Sequence, residues 1–304
     1  MTREYRFCQV DVFTDRIFGG NPLAVFLDGS GLEDGEMQAI AREMNLSETT
    51  FVLPPSRPEC VARVRIFTPA RELPFAGHPT LGTAWVMAHH GRLRARTMRL
   101  SLEEGIGPVP VEFEGESRSP RFVWMSHRDA TFGPEIKERA AIARALGLDE
   151  SSLLSGAPIE TGSTGLGFLF VPLRNRDAVD RAVLDVPTLL ASIGAAKDAG
   201  LFVFAPNSEP SAERVYSRMF APHRSGITED PATGSASGPL GAYLVRHGLV
   251  QARAAEVRIV SEQGTKMGRQ SFVHIALRVE DNNVKEIRVG GGVVSVLEGR
   301  LRLG

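Results

Sequence analysis

Two segments of the chain bring acid, imidazole and hydroxyl side chains to the start of a helix behind a glycine. One is Gly77-His78-Pro79-Thr80, and the other is Glu229-Asp230-Pro-Ala-Thr233-Gly234-Ser235. The first turn of a helix has backbone N–H groups without intrahelical acceptors, at the positive end of the helix dipole. Such an end suits a small anion, most simply a carboxylate. Gly77 and Gly234 let a ligand approach the backbone, and a proline in the first turn is pre-set for helical φ and lacks a donor that would be orphaned there. Each motif also has a plainer reading. His78 would serve as a polar cap at an ordinary helix start, and Asp230, Thr233 and Ser235 are residue types that favour N-caps.

The pairing of the motifs weighs against the plainer reading. Phe67-Thr-Pro-Ala-Arg precedes the first and Phe220-Ala-Pro-His-Arg the second. The stretches Gly77–Gly91 and Gly234–Gly248 have the same length, and each ends in His-Gly. A near-repeat at half-chain spacing predicts two similar domains related by a pseudo-twofold axis, with two helix N-termini facing each other across a cleft.

Other chemistry-bearing residues are weaker signals. Glu48, between Ser47 and Thr49 at a helix-to-strand junction, reads by type and place as a solvated surface acid. Gly290-Gly-Gly292 suits a hinge, a bulge or a set of backbone donors, with hinge or bulge favoured. Gly162-Ser-Thr-Gly165-Leu-Gly167 has its glycines in the reverse order of a dinucleotide fingerprint and precedes a strand. There is no Walker loop, no Gly-x-Ser-x-Gly elbow and no His-Glu-x-x-His. His89, His90, His127, His223 and His274 lack metal spacing. No metal and no organic cofactor are expected.

The elements that must position these residues follow from periodicity. Residues 5–13 alternate as a strand, and 23–27 form a second. Met37, Ile40, Ala41 and Met44 recur at helical spacing, so 33–44 is an amphipathic helix. Strands are expected at 49–53, 63–67, 97–103 and 108–113, with a helix behind the first glycine motif. The segment 114–120 reads as the linker between halves. Beyond it come a strand at 122–125, a helix at 135–146, and strands at 168–172, 201–205 and 215–220. A helix carrying Leu240 and Leu244 follows, then strands at 257–260, 273–279, 287–289 and 293–297. Connections are too short for regular βαβ units, which predicts an α+β fold: two halves, each a mixed or antiparallel sheet curled around a central helix.

Composition bounds the function. The chain has 304 residues, enough for two cores, and a formal net charge of −1 with acids and bases interleaved. No Lys/Arg-rich block suggests nucleic acid or an anionic membrane. No transmembrane or secretory segment is evident. The two cysteines, Cys8 and Cys60, have neither metal nor redox spacing and fit a reducing cytoplasm.

The motifs together resemble the phenazine-biosynthesis PhzF-like isomerase family over almost the whole chain. The resemblance is carried by Gln9-Val-Asp-Val-Phe, Gly20-Asn-Pro-Leu-Ala-Val, Asn45-Leu-Ser-Glu-Thr-Thr-Phe51 and Arg65-Ile-Phe-Thr-Pro. It continues through Glu72-Leu-Pro-Phe-Ala-Gly-His-Pro-Thr-Leu-Gly82, Glu229-Asp-Pro-Ala-Thr-Gly-Ser-Ala236 and Gly290-Gly-Gly-Val-Val. It implies a diaminopimelate epimerase-like fold with the final strand returned to the first half. The domains are then 1–120 plus 290–304, and 121–289, joined as a homodimer of such chains. The resemblance also selects Glu48 as general acid/base, with His78 and Asp230 sharing the proton traffic. Gly77, Gly234 and Ser235 would bind a small carboxylate substrate without a cofactor. Epimerases of this fold use two thiols, and the matching positions here are Ala76 and Thr233. That departure favours a one-carboxylate proton shift, as in trans-2,3-dihydro-3-hydroxyanthranilate isomerisation, over an amino-acid racemase or epimerase. A non-catalytic binding protein on the same scaffold is the other alternative. Domain closure over the ligand, with the glycine run as hinge, is the expected accompaniment.

Overall fold

The structure is a computed structural model and describes residues 2–193, 199–206, 214–221, 228–251, 255–281 and 283–304. Of the Phe220-Ala-Pro-His-Arg segment, Pro222, His223 and Arg224 lie outside the described residues. The fold is mixed α+β, and the chain divides into two compact units. Unit 1 is built from Met1–Ser126 and Val289–Gly304, and unit 2 from the described part of 127–288.

Unit 1 contains β1 (Arg3–Val12), β2 (Asn21–Phe26), α1 (Asp34–Met44), β3 (Glu48–Leu53), β4 (Ala62–Phe67), β5 (Glu72–Leu73), α2 (Gly77–His89), β6 (Arg99–Glu104), β7 (Gly107–Glu116) and β8 (Ser119–His127), whose last residue enters unit 2. Unit 2 follows with β9 (Thr131–Phe132), α3 (Arg139–Ala145), β10 (Glu160–Ser163), β11 (Gly167–Pro172), α4 (Arg176–Arg181), α5 (Val186–Ile193), β12 (Gly200–Pro206), β13 (Arg214–Phe220), β14 (Glu229–Asp230), α6 (Gly234–Arg246), β15 (Glu256–Gln263), β16 (Ser271–Glu280) and β17 (Asn283–Gly291). The chain re-enters unit 1 within β17, and β18 (Val293–Leu303) pairs antiparallel with β1 from Val12↔Val293 to Arg3↔Leu303.

The same pairing order occurs in each unit. In unit 1, β1 is antiparallel to β2, β2 parallel to β3, β3 antiparallel to β4, and β4 antiparallel to the two-residue β5. The chain then runs through α2 into β6, which is parallel to β4 and antiparallel to β7. In unit 2, β10 to β14 repeat this series of directions. The chain then runs through α6 into β15, parallel to β13 and antiparallel to β16. The internal repeat read from the glycine motifs is therefore a repeat of topology.

Each of these helices is buried on every side. All residues of α2 from Gly77 to Ala88 are buried, as are those of α6 from Gly234 to Leu244. A helix without a polar face must be enclosed by other elements. Gly82 permits the enclosure of α2. A Cβ there would lie 2.6 Å from Leu23 Cδ2 and 2.9 Å from Val12 Cγ2, on β2 and β1. Polar side chains on the helix are matched inside: the Thr83 and Thr50 hydroxyls lie 2.8 Å apart. The Trp85 Nε1–H donates to the Pro120 carbonyl at 3.0 Å. In unit 2, Phe170, Phe202, Phe204 and Tyr243 pack with Leu240 and Leu244 of α6.

Two expectations are corrected, and the glycine run gains a local reason. The segment 114–120 is the tip of the β7–β8 hairpin: Gly115, at φ +98°, pairs with Pro120 and Glu116 with Ser119 around a turn at 117–118. Gly, Ser and Pro mark tight turns as well as linkers, and here β7 and β8 continue pairing on either side. The helix expected at 135–146 begins only at Arg139, because the Ile136 N–H is taken by the Ile159 carbonyl. Gly290–Gly292 has a packing reason for its glycines. A Cβ on Gly290 would lie 2.6 Å from the Trp124 ring and from the Val123 carbonyl oxygen. One on Gly291 would lie 2.5 Å from the Phe13 ring, and one on Gly292 2.7 Å from the Thr14 carbonyl oxygen. The Gly292 carbonyl, between β17 and β18, accepts from Phe13 N–H at 2.8 Å, so these glycines admit close packing along hydrogen-bonded backbone.

One buried acid supports the start of α2. Glu104 lies on the same face of β6 as the buried Leu100 and Leu102, following the two-residue period of a strand. The Thr80 hydroxyl oxygen is 2.7 Å from the Ala76 carbonyl oxygen and 2.6 Å from Glu104 Oε1. A hydroxyl has one proton. It serves Ala76, so Glu104 must be the donor in the second bond and carries its own proton. Burial pushes the Glu104 carboxyl up to about 8, which agrees.

Two measurements check these points. Gly291→Ala is expected to cost about 1–3 kcal/mol through overpacking against Phe13, read as a lower urea midpoint at unchanged slope. Glu104 holds a proton in the folded state that the unfolded chain releases near its ordinary 4.5. Stability should therefore fall as pH rises from about 4.5 to about 8, by up to about 5 kcal/mol, and level off above. Glu104→Gln keeps a donor for Thr80 and should flatten that decline. An unchanged pH profile in the variant would show that Glu104 is ionised in the folded protein.

Candidate active site

Glu48 is placed by the way α1 ends. Asn45 caps that helix in the left-handed region, at φ 50°, and its N–H donates to the Ala41 carbonyl. Asparagine tolerates that conformation better than most residues. The chain then turns within Leu46-Ser47 into β3, whose first residue, Glu48, is the register partner of Leu23 on the parallel strand β2. Its side chain is 12% exposed. His78, the second residue of α2, is 4% exposed, and its Nε2 lies 3.3 Å from Glu48 Oε2. The sequence motifs holding Glu48 and His78 thus meet at one point in unit 1.

His78 is a neutral imidazole in this position. Burial pushes it down to about 3, against a smaller opposing effect of its hydrogen bond to the Pro22 backbone. Pro22 has only a carbonyl to offer, so the ring donates in that bond. Nε2 makes no hydrogen bond, which leaves Nδ1 as the donor and Nε2 as the atom bearing the lone pair. That lone pair faces the Glu48 carboxyl group. The Gly77 and His78 amides precede the first backbone-bonded amide of α2, Thr80 N–H to Ala76 O at 3.3 Å. Pro79 has none, so the start of α2 presents two backbone donors beside the Glu48–His78 pair.

The corresponding place in unit 2 is a hydrogen-bonded turn. Thr233, the N-cap of α6, donates its hydroxyl to Asp230 Oδ2 at 2.5 Å. Its side chain makes no cap hydrogen bond to the helix amides. Gln263 on β15 locks the turn: its Nε2 donates to the Asp230 carbonyl at 2.7 Å and to Thr233 Oγ1 at 3.0 Å. Its Oε1 accepts from Thr233 N–H at 3.1 Å. Gly234 and Ser235 follow as the first two residues of α6. Their amides precede the first bonded one, Ala236 N–H to Thr233 O at 3.2 Å. Asp230, Thr233 and Ser235 are all buried. Each unit thus builds a buried polar helix start, with an acid, an imidazole or a hydroxyl beside free amides.

Sequence reasoning missed Gln263 and Glu104. Gln263 carries no motif, since only the return of β15 beside β13 brings it to Asp230. Glu104 had a signal in its alternation with Leu100 and Leu102. Ala76 and Thr233, the two positions the family resemblance compares with epimerase thiols, are the N-caps of α2 and α6. Cys8 lies in β1 and Cys60 ahead of β4, outside both motifs. Burial and the Glu298 carboxylate push the Cys8 thiol up to about 11. No helix among the described residues is long and apolar enough to cross a membrane.

Comparison with known proteins gives the family. The family model for phenazine biosynthesis-like proteins (PhzC-PhzF) matches residues 10–299. An uncharacterized isomerase of Clostridium acetobutylicum is 35% identical, covering 100% of both chains. The trans-2,3-dihydro-3-hydroxyanthranilate isomerase of Pseudomonas fluorescens is 36% identical, covering 98% of this chain and 100% of its own. Among solved structures, a phenazine biosynthesis protein of the PhzF family from Bacillus anthracis superposes with a TM-score of 0.86 at 27% identity, over 98% of this chain and 99% of that one. A hydroxyproline epimerase from Agrobacterium vitis shares the fold, with a TM-score of 0.69 at 11% identity over 99% and 93% of the two chains. With a family match across nearly its whole length and full-length isomerase relatives, this chain belongs to the phenazine biosynthesis-like PhzF family of isomerases.

Proposed function

We propose that this isomerase moves a proton within a small unsaturated carboxylate, with Glu48 as the single general acid/base and no cofactor. The observation that carries the reading is the Glu48–His78 pair. A carboxylate and an imidazole lone pair face each other at 3.3 Å in a nearly closed site. Two facing lone pairs favour the state in which one proton lies between them. Glu48 is then a group that gains from taking up a proton, and His78 can hold that proton in line while the substrate rearranges.

The step balances without an oxidant. Glu48 removes a proton from a carbon next to a double bond. The electron pair moves through the unsaturated system toward the carboxylate, and the same proton is returned at the far carbon. The substrate carboxylate takes hydrogen bonds from the amides of Gly77 and His78, which strengthen as negative charge develops. Asp230, Gly234 and Ser235 act on the same substrate in this proposal, orienting a hydroxyl or amino group. The substrate of the Pseudomonas relative, trans-2,3-dihydro-3-hydroxyanthranilate, has the required chemistry and is the first compound to assay. With Ala76 and Thr233 at the epimerase thiol positions, two-thiol racemisation has no base to use.

Glu48→Gln keeps the shape of the side chain and removes its ability to take a proton. It should lower kcat by at least about 10²-fold with little change in substrate affinity. A turnover should move the double bond, and in deuterated water any deuterium gained should appear only at the carbon that receives the proton, to the extent that Glu48 exchanges with solvent before delivering it. Near-full activity in Glu48→Gln would remove this residue from the mechanism. Inversion at one stereocentre with the double bond in place would establish a racemase. Binding without any movement of the double bond or inversion of a centre would establish a binding protein.

A further inference from the structure

Unit 1 carries a second convergence of reactive side chains that uses none of the residues assigned above. Cys8 Sγ lies 3.1 Å from His90 Nε2, and His90 Nε2 lies 3.7 Å from Glu298 Oε1. All three atoms fall within 4.8 Å of one another. Each is held by a fixed piece of backbone. Cys8 on β1 and Glu298 on β18 are direct antiparallel partners, so their side chains share a face of the sheet. His90 is the C-cap of α2. The helix is closed behind it by Gly91 N–H to Ala88 O and Arg92 N–H to Met87 O, with Gly91 at φ +66°. That is the double bond of a Schellman ending, which fixes the direction of the cap residue.

We infer that Cys8, His90 and Glu298 form a binding site for one zinc-like divalent ion, completed by solvent. Tetrahedral zinc with a metal–sulfur bond of about 2.3 Å and metal–nitrogen and metal–oxygen bonds of about 2.0–2.2 Å sets its ligand atoms about 3.3–3.6 Å apart. The observed 3.1 and 3.7 Å bracket that spacing, so small rotations of the side chains suffice. A thiol and an imidazole select zinc or a similar transition metal over magnesium or calcium, which prefer oxygen. As the metal–sulfur bond forms, the thiol proton leaves to solvent, and thiolate plus carboxylate balance the two positive charges.

Two features support a site over a simple thiol–imidazole hydrogen bond. A cavity of about 630 Å³ opens here, lined by Cys8, His90 and Glu298 together with Asp28, Arg6 and Arg92. It gives an entry path and room for a solvent ligand. The neighbouring arginines Arg300 and Arg302 are paired with Glu4, not with Glu298. Among the described residues, the ion pair shown for Glu298 is the one with His90.

The test uses the intact protein after treatment with a chelator, with cobalt(II) as the spectroscopic probe. One equivalent should bind and give a thiolate-to-cobalt charge-transfer band with the intense visible bands of a tetrahedral site. Zinc should displace it, and magnesium should not. Cys8→Ser should abolish the charge-transfer band. His90→Ala and Glu298→Gln should each weaken zinc binding at least about tenfold, the low end of what even supporting residues contribute at metal sites. Glu298 is well exposed, so its variant tests the site without threatening the fold. Absence of saturable binding, binding without a thiolate band, or unchanged zinc affinity in either His90→Ala or Glu298→Gln would overturn the assignment.

Discussion

The structure depends on burying two helices on every side. A helix enclosed in this way cannot turn a polar face to water, so each of its polar groups must be matched internally or left as a donor. Along the body of α2 the matching is complete in kind: small residues where strands approach, and threonine hydroxyls paired with other hydroxyls or with carbonyls. At its first turn the amides of Gly77 and His78 have no helix carbonyls to reach. The polar helix starts are therefore not decorations on the fold. They are where full burial of a helix leaves hydrogen-bonding capacity over.

Burial also decides which charges exist around the start of α2. His78 is driven neutral by desolvation, and Glu104 is driven neutral by the same cause with the opposite sign of charge. An ionised Glu104 would place a negative charge one hydroxyl away from the first turn and would compete with any anion bound there. Kept protonated, it satisfies Thr80 and leaves the helix dipole uncompensated. Glu48, at the edge of the enclosed region, is the carboxyl group that faces the imidazole. In unit 2 the equivalent turn is held by hydrogen bonds among Asp230, Thr233 and Gln263. A single topology thus supports two differently equipped helix starts, one with an acid and an imidazole face to face and one with a hydrogen-bonded Asp230–Thr233–Gln263 turn.

The amino-acid sequence by itself determined the element types and the two glycine motifs. Strand alternation and helical spacing are local properties that survive into the structure, as at α1, where Met37, Ile40 and Ala41 are the buried residues. The near-repeat was also legible, because equal spacing between glycines reflects equal helices in equal topological places. Glu48 was legible only through family resemblance, since one acid at a strand start looks like surface. Gly290–Gly292 was legible as a place where side chains are excluded, but not as to why. Backbone freedom and close packing demand the same residue, and only the rings of Trp124 and Phe13 distinguish them. Likewise 114–120 has turn composition whether it links domains or closes a hairpin. Tertiary structure alone decided the meetings: His78 with Glu48, Gln263 with Asp230, Glu104 with Thr80, Cys8 with His90. Each joins residues from separate elements whose register and direction are set by pairing across the sheet. Local sequence encodes each strand and helix, but which atoms then lie within 3 or 4 Å of one another follows from how the strands pair and enclose the helices.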